Sequence, residues 1–192
     1  MKNIIIISFF LIELLWSQNS AYKNFQSYMN VDGGVLLDIN FYIEQSKNHT
    51  ESNGLFYYFG NMHYSFDIEG QRITHNNGVI TTINKNTKQI IYDLRTEDSI
   101  SILNILSGEK KGIELGDIIL EKNNYKIPFI LDELDVRGVL WVLASTGEPK
   151  KVILESYDDI KIKIKINSLE VGHMKQIPFI DTSEYEKIDL RD

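Results

Sequence analysis

From Gly34 onward, apolar residues recur at every second position. Val35, Leu37, Ile39, Phe41 and Ile43 alternate with Leu36, Asp38, Asn40, Tyr42 and Glu44. Met62, Tyr64, Phe66 and Ile68 alternate with His63, Ser65 and Asp67, and Ile160, Ile162, Ile164 and Ile166 with Lys161, Lys163 and Lys165. A period of two sends alternate side chains to opposite faces of a strand. These runs therefore predict antiparallel sheet with one apolar face and one wet face. Turn signals such as Asn53-Gly54, Glu69-Gly70, Asn123-Asn124 and Gly147-Glu148-Pro149 separate the runs. Asn77-Gly78 is the sharpest, because tight hairpins need the positive φ that Asn and Gly tolerate. The strands predicted are Gly54–Phe59, Met62–Ile68, Arg72–Thr74, Gly78–Ile83 and Gln89–Leu94, continued by Asp117–Lys122, Tyr125–Leu131, Val136–Ser145, Lys150–Tyr157 and Ile160–Asn167.

The period becomes helical in two places. Asn19 to Met29 carries Tyr22, Phe25 and Met29 on one stripe. Glu97 to Leu106 has Asp98 or Ser99 as an N-cap, an apolar face of Ile102, Leu103, Ile105 and Leu106, and Ser107-Gly108 as a stop.

The N-terminus follows a different rule. Met1-Lys2-Asn3 precedes an apolar run from Ile4 to Leu15, broken by Ser8 and Glu13, and Trp16-Ser17-Gln18-Asn19 then turns polar. This is the layout of a secretory signal peptide over residues 1–17, with cleavage expected after Ser17. The run is well below the roughly 20 residues that span a bilayer. A buried N-terminal helix is the alternative. Export would leave a single domain over residues 18–192. It removes Lys2 and Glu13, one charge of each sign, so the balance is unchanged.

Composition narrows the function classes. The chain has 192 residues and 43% hydrophobic content, enough for one domain with a real core. Its net charge is −7 and no strongly basic cluster interrupts it, which argues against nucleic-acid partners. The absence of cysteine removes disulfides, thiolate metal sites, a Cys nucleophile and a Cys-borne lipid anchor. His49, His63, His75 and His173 are scattered, without metal-ligand spacing, so no metal and no cofactor is expected. No nucleophile elbow, phosphate loop or dinucleotide glycine pattern occurs. Asp158-Asp159 and Asp132-Glu133 read as turn residues and solvated charges, and a non-enzyme is expected. The Lys161, Lys163 and Lys165 row could attract an anionic membrane or an acidic partner, but a solvated strand face is the simpler reading.

The order of these features resembles the periplasmic outer-membrane lipoprotein carriers, the LolA-like family, over Ala21 to Arg191. The matching stretches begin with the short helix and the first apolar strand. Next come Gly54-Leu55-Phe56-Tyr57 and the strand Met62-His63-Tyr64-Ser65-Phe66. They continue with the hairpin Ile73 to Ile80 around Asn77-Gly78, the strand Gln89–Leu94, and Leu106-Ser107-Gly108. Ile177-Pro178-Phe179-Ile180-Asp181-Thr182-Ser183 and Ile188-Asp189-Leu190-Arg191 look like the family's closing strand and tail. Two departures stand out. Tyr58-Phe59-Gly60-Asn61 lacks the Arg/Lys-Pro pair from which the family's arginine ties down a lid helix, and Tyr64 stands where Trp is usual.

The resemblance implies a mainly β fold with short helices: an unclosed antiparallel β-barrel, or half-barrel, with a helical lid over an apolar cavity. It implies a monomeric periplasmic carrier that shields the acyl chains of lipoproteins between inner and outer membranes. An inner-membrane lipoprotein-releasing ABC transporter and an outer-membrane receptor would be its partners. A lipid- or lipoprotein-sensing module on the same fold is the alternative. The lipidated receptor itself would need a Cys, and an exported hydrolase would need a nucleophile–base pair. The expected cavity lining is Phe56, Met62, Tyr64, Phe66, Ile68, Val79, Ile91 and Trp141, with Ile102, Leu103 and Leu106 on the lid helix.

Overall fold

The structure is a computed structural model that describes residues 20–45, 48–95, 102–108, 112–156, 160–174 and 176–191. The apolar N-terminal segment and its expected cleavage point lie outside the described residues. Among the described residues, no helix is long and apolar enough to cross a membrane.

Helix α1 spans residues 20–29 and leads into β1 (Val35–Gln45), β2 (Asn48–Tyr58), β3 (Tyr64–Ile68), β4 (Gln71–Asn76), β5 (Val79–Asn84) and β6 (Gln89–Leu94). After α2 (Ile102–Leu106) come β7 (Glu114–Leu115), β8 (Ile119–Glu121), β9 (Asn124–Leu131), β10 (Val136–Leu143), β11 (Pro149–Ser156), β12 (Ile160–Val171) and β13 (Glu186–Asp189). Among the described residues, one 13-stranded sheet holds them in the order β13-β6-β5-β4-β3-β2-β1-β12-β11-β10-β9-β7, with β8 also on β9. The sheet does not close on itself, and it curves around the two helices. The mainly β, half-barrel architecture expected from the sequence is the one observed.

Two local meanders make up this order. β1 to β6 pair successively, as do β9 to β12, and a seam between β1 and β12 joins them. The strand expected at Met62 starts later, at Tyr64, because Asn61 and Met62 take positive φ values of 49° and 60° in the turn before it. Asn77 and Gly78 turn at φ 49° and 80°, as the two-residue hairpin requires. β13 departs from the antiparallel rule and pairs with β6 in parallel.

One face of the sheet carries the core. Opposed residues of neighbouring strands share a face, and on this one stand Val35, Leu37 and Ile39 of β1 with Tyr58 and Phe56 of β2. Ile164 and Ile166 of β12, Val152 and Leu154 of β11, Leu140 and Val142 of β10, and Ile127, Phe129 and Leu131 of β9 continue it. All are buried, and the stripe of α1 (Ala21, Tyr22, Phe25 and Met29) packs onto them. The turn between β10 and β11 holds the helix closely. Gly147, at φ 78°, lies against the Asn24 backbone, where any side chain would collide.

The opposite face is mixed, with Leu36, Tyr57 and Ile90 buried on it, and it carries a charged knot. Asp67 of β3 accepts hydrogen bonds from Arg72 and Lys85, and Arg72 also donates to the Pro178 carbonyl at 2.7 Å. Arg72 thereby fixes the C-terminal segment to the sheet. Burial pushes the Asp67 carboxyl up, but hydrogen bonds from Lys85 and Arg72 and their charges outweigh it and hold it below the ordinary carboxylate value. A carboxyl depressed in the folded state stabilises the fold above the unfolded-state value, and that contribution is lost as pH falls through the lower folded value. The urea midpoint is therefore expected to drop as pH falls below about 4, and to drop less in Asp67→Asn. Identical pH profiles for the two proteins would remove Asp67 from the account.

Candidate functional site

The concave face is the candidate site. Its wall between β1 and β4 is aromatic, because Tyr58 faces Tyr64, Phe56 faces Phe66 and Gly54 faces Ile68. Ring centroids lie 5.6 Å apart for Phe56 and Tyr64, 6.4 Å for Phe56 and Phe66, and 5.4 Å for Phe41 and Phe66. Tilted and edge-on contacts at these separations add to the burial of each ring.

Both helices fill this concavity. Leu103, Ile105 and Leu106 of α2 are buried in the same cluster as Phe56, Tyr64 and Phe66. Polar ties accompany that packing. Gln26 donates to the Gly108 carbonyl at 2.9 Å, linking α1 to the end of α2. The Ser107 hydroxyl donates to the Met62 sulfur at 3.2 Å, and Tyr28 donates to Ser168 of β12 at 2.8 Å. Burial raises the Tyr28 hydroxyl's pKa, so it stays a neutral donor.

A polar spot sits among the apolar residues. His75 of β4 stands opposite Tyr64 on the concave side and is 4% exposed. Its Nδ1 donates to the Met62 carbonyl, while its Nε2 is buried with no hydrogen-bond partner among the described residues. Such an atom costs on the order of 1–3 kcal/mol of lost hydration. Burial first, and then nearby His75, lowers the pKa of His63, which stacks on Phe59 at 4.7 Å. Among the described residues, no group of three His, Asp or Glu side chains could hold a metal ion.

The residues singled out in the sequence divide between the two faces. Phe56, Tyr64 and Phe66 lie buried on the concave face, and Met62 and Ile68 pack partly buried against them. Ile91 shares that face through the register Phe66–Ile73–Thr82–Ile91 and is half-buried. Leu103 and Leu106 of the lid helix join the core, while the Ile102 side chain lies outside the described residues. Two assignments need correction. Val79 pairs with Asn76 and Leu94, one position out of step with the concave row through His75 and Ile80, so it faces outward. Trp141 pairs with Lys126 and Lys151, whereas Leu140 pairs with the buried Ile127 and Val152. Trp141 therefore belongs to the convex face. The contacts of Gln26, Ser107 and His75 were not anticipated, because their polar side chains carry no periodic signal.

No family model matches the chain, and no curated protein matches it. Among solved structures it resembles a LolA superfamily protein from Nitrosomonas europaea at 9% identity, with a TM-score of 0.50 over 84% of this chain and 94% of that one. A conserved protein from Thermus thermophilus gives 8% identity and a TM-score of 0.49, covering 89% and 98% of the two chains. A domain assigned to outer membrane lipoprotein sorting from Vibrio parahaemolyticus gives 6% and 0.48, covering 81% and 92%. At these identities the likeness is one of fold, and the fold of this chain is LolA-like.

Proposed function

We propose that the protein is an exported, non-enzymatic carrier that shields the acyl chains of lipoproteins in its concave face and ferries them between the two membranes of the envelope. One observation carries this reading: the apolar inner face of a large unclosed sheet is covered by two short helices instead of a second sheet. A chain of about 15 methylenes gains roughly 12 kcal/mol on leaving water, at about 0.8 kcal/mol per methylene. A lipoprotein with such chains does not cross an aqueous space unaided. An apolar concavity hides the chains without directional bonds, and apolar helix residues fill it when no cargo is present. Displacing those residues takes back part of the transfer energy, and this keeps the cargo releasable.

The less buried end of the β1–β12 row supports the reading. Phe41 and Ile162 are half-buried at its edge, and Ile43 is 38% exposed on the same row. A chain end could enter there before either helix moves. An acyl-chain fluorophore is expected to bind saturably at about one per protein, and lipoproteins are expected in the mass spectrum of material co-purified from the envelope. Titration without saturation would overturn acyl-chain binding, and free lipids alone would favour a lipid shuttle.

A further inference from the structure

The convex face of β9 to β12 is built differently from the rest of the surface. Its register sets Lys126 of β9, Trp141 of β10, Lys151 of β11 and Lys165 of β12 in one line across the sheet. Pro128, Val139, Ile153 and Lys163 form the next line. Lys151 thus stands directly opposite Lys165, an arrangement that costs stability unless something compensates it. The Lys151 ammonium lies 3.7 Å from the centroid of the Trp141 ring, and that of Lys126 lies 5.9 Å away. Between Trp141 and Arg137 runs a groove of about 180 Å³ floored by Val139 and Ile153. Exposed Ile119, opposite Lys126, and Ile130, opposite Arg137, flank it on the same face.

We propose that this face docks onto an anionic bilayer surface, with Lys126, Lys151, Lys163 and Lys165 meeting lipid headgroups and Trp141 and Ile119 reaching the interfacial layer. Charge complementarity carries the assignment. The chain as a whole is −7, so an anionic surface repels most orientations and admits this one. Adjacent strands lie about 4.8 Å apart, so the cations are spread along a sheet face rather than aimed at one point. Laterally mobile headgroups can pair with each of them, whereas a single acidic side chain cannot. Tryptophan, aliphatic side chains and lysines with apolar stems are also the residues that settle at membrane–water boundaries. Glu155 is paired with Lys161 at 2.7 Å and Glu44 stands opposite Lys161, so both lie off the central row, as does Glu114 opposite Ile130, while Glu121 of β8 acts on Lys151. Burial first, and then the charges of Lys163 and Lys126, lower the pKa of Lys151, although Glu121 opposes them. An anionic neighbour relieves that mutual repulsion.

The test is co-sedimentation of the full chain with vesicles of pure phosphatidylcholine or of phosphatidylcholine with 30% phosphatidylglycerol. Binding is expected to favour the anionic vesicles and to weaken as salt rises. Lys151→Gln/Lys165→Gln is expected to reduce that preference about 25-fold, at about fivefold per lysine. Lys88→Gln, near β13, is expected to leave it unchanged. The apolar N-terminal segment is common to every variant, so it cancels from the comparison. Equal partition into both vesicles, or an undiminished preference in the double variant, would overturn the proposal. So would saturable capture of an acidic peptide without vesicle binding, which would give the face to a protein partner. Acyl-fluorophore titration without vesicles reads the concave face alone, so the two proposals fail separately.

Discussion

Phe56→Ala is expected to lower the unfolding free energy by about 3–5 kcal/mol, the usual range for removing a buried aromatic ring. Phe56 is fully buried. It stands between Tyr58, whose ring stacks at 6.1 Å, and the rings of Tyr64 and Phe66. Truncation leaves a void where three strands and the helices converge, and the stiff sheet cannot collapse to fill it. For a chain of this length each kcal/mol moves Tm by about 2–4 °C, so a fall of roughly 6–20 °C is expected in a thermal melt. A fall under about 3 °C would mean that the wall repacks and that Phe56 is not its keystone.

Leu103→Ala/Leu106→Ala is expected to act in two directions at once. Both side chains are buried in the core, so truncating them should cost about 2–5 kcal/mol each in a melt or urea titration. If acyl chains take the space that α2 fills, part of that loss is energy the ligand no longer has to supply. At 1.4 kcal/mol per tenfold, affinity for an acyl-chain fluorophore is expected to rise about 10- to 100-fold while stability falls. Lower stability with unchanged or weaker fluorophore binding would make α2 an ordinary core helix. That pairing of opposite signs separates a lid from packing, which a stability measurement alone does not.

How much of this was legible in the sequence depends on how unequal the two faces of each strand are. The rows Val35 to Ile43 and Ile160 to Ile166 face aspartate, asparagine and lysine across the strand, and their apolar sides were assigned correctly. β10 gives no such contrast. Val139 and Trp141 point outward while Leu140 and Val142 point inward, and the expected lining residue, Trp141, lies on the outer side. β5 reads Val-Ile-Thr-Thr-Ile-Asn and is half-buried throughout, so Val79 had no period to place it. A one-residue step exchanges the faces, and only the register resolves it. The polar ties of the helices were illegible for another reason. Gln26 and Ser107 act through partners remote in sequence, and no local pattern announces them. The lysine row was legible as a row. Its alignment with Trp141 and Lys151 depended on strand pairing that the sequence alone did not specify.

The seam between β1 and β12 has a consequence in time. On the edge away from β2, residues 35–45 find their partner strand only in residues 160–171, so the middle of the sheet waits for nearly the whole chain. Each meander can form from its own short-range hairpins. Until they meet, each exposes an unpaired edge strand and an apolar face. Contacts so distant in sequence slow folding, because the loop must close before any pairing rewards it. Such an intermediate invites strand addition from other copies of itself. Refolding is therefore expected to be limited by closure of this seam, and a truncation before Ile160 to leave β1 as a self-associating edge.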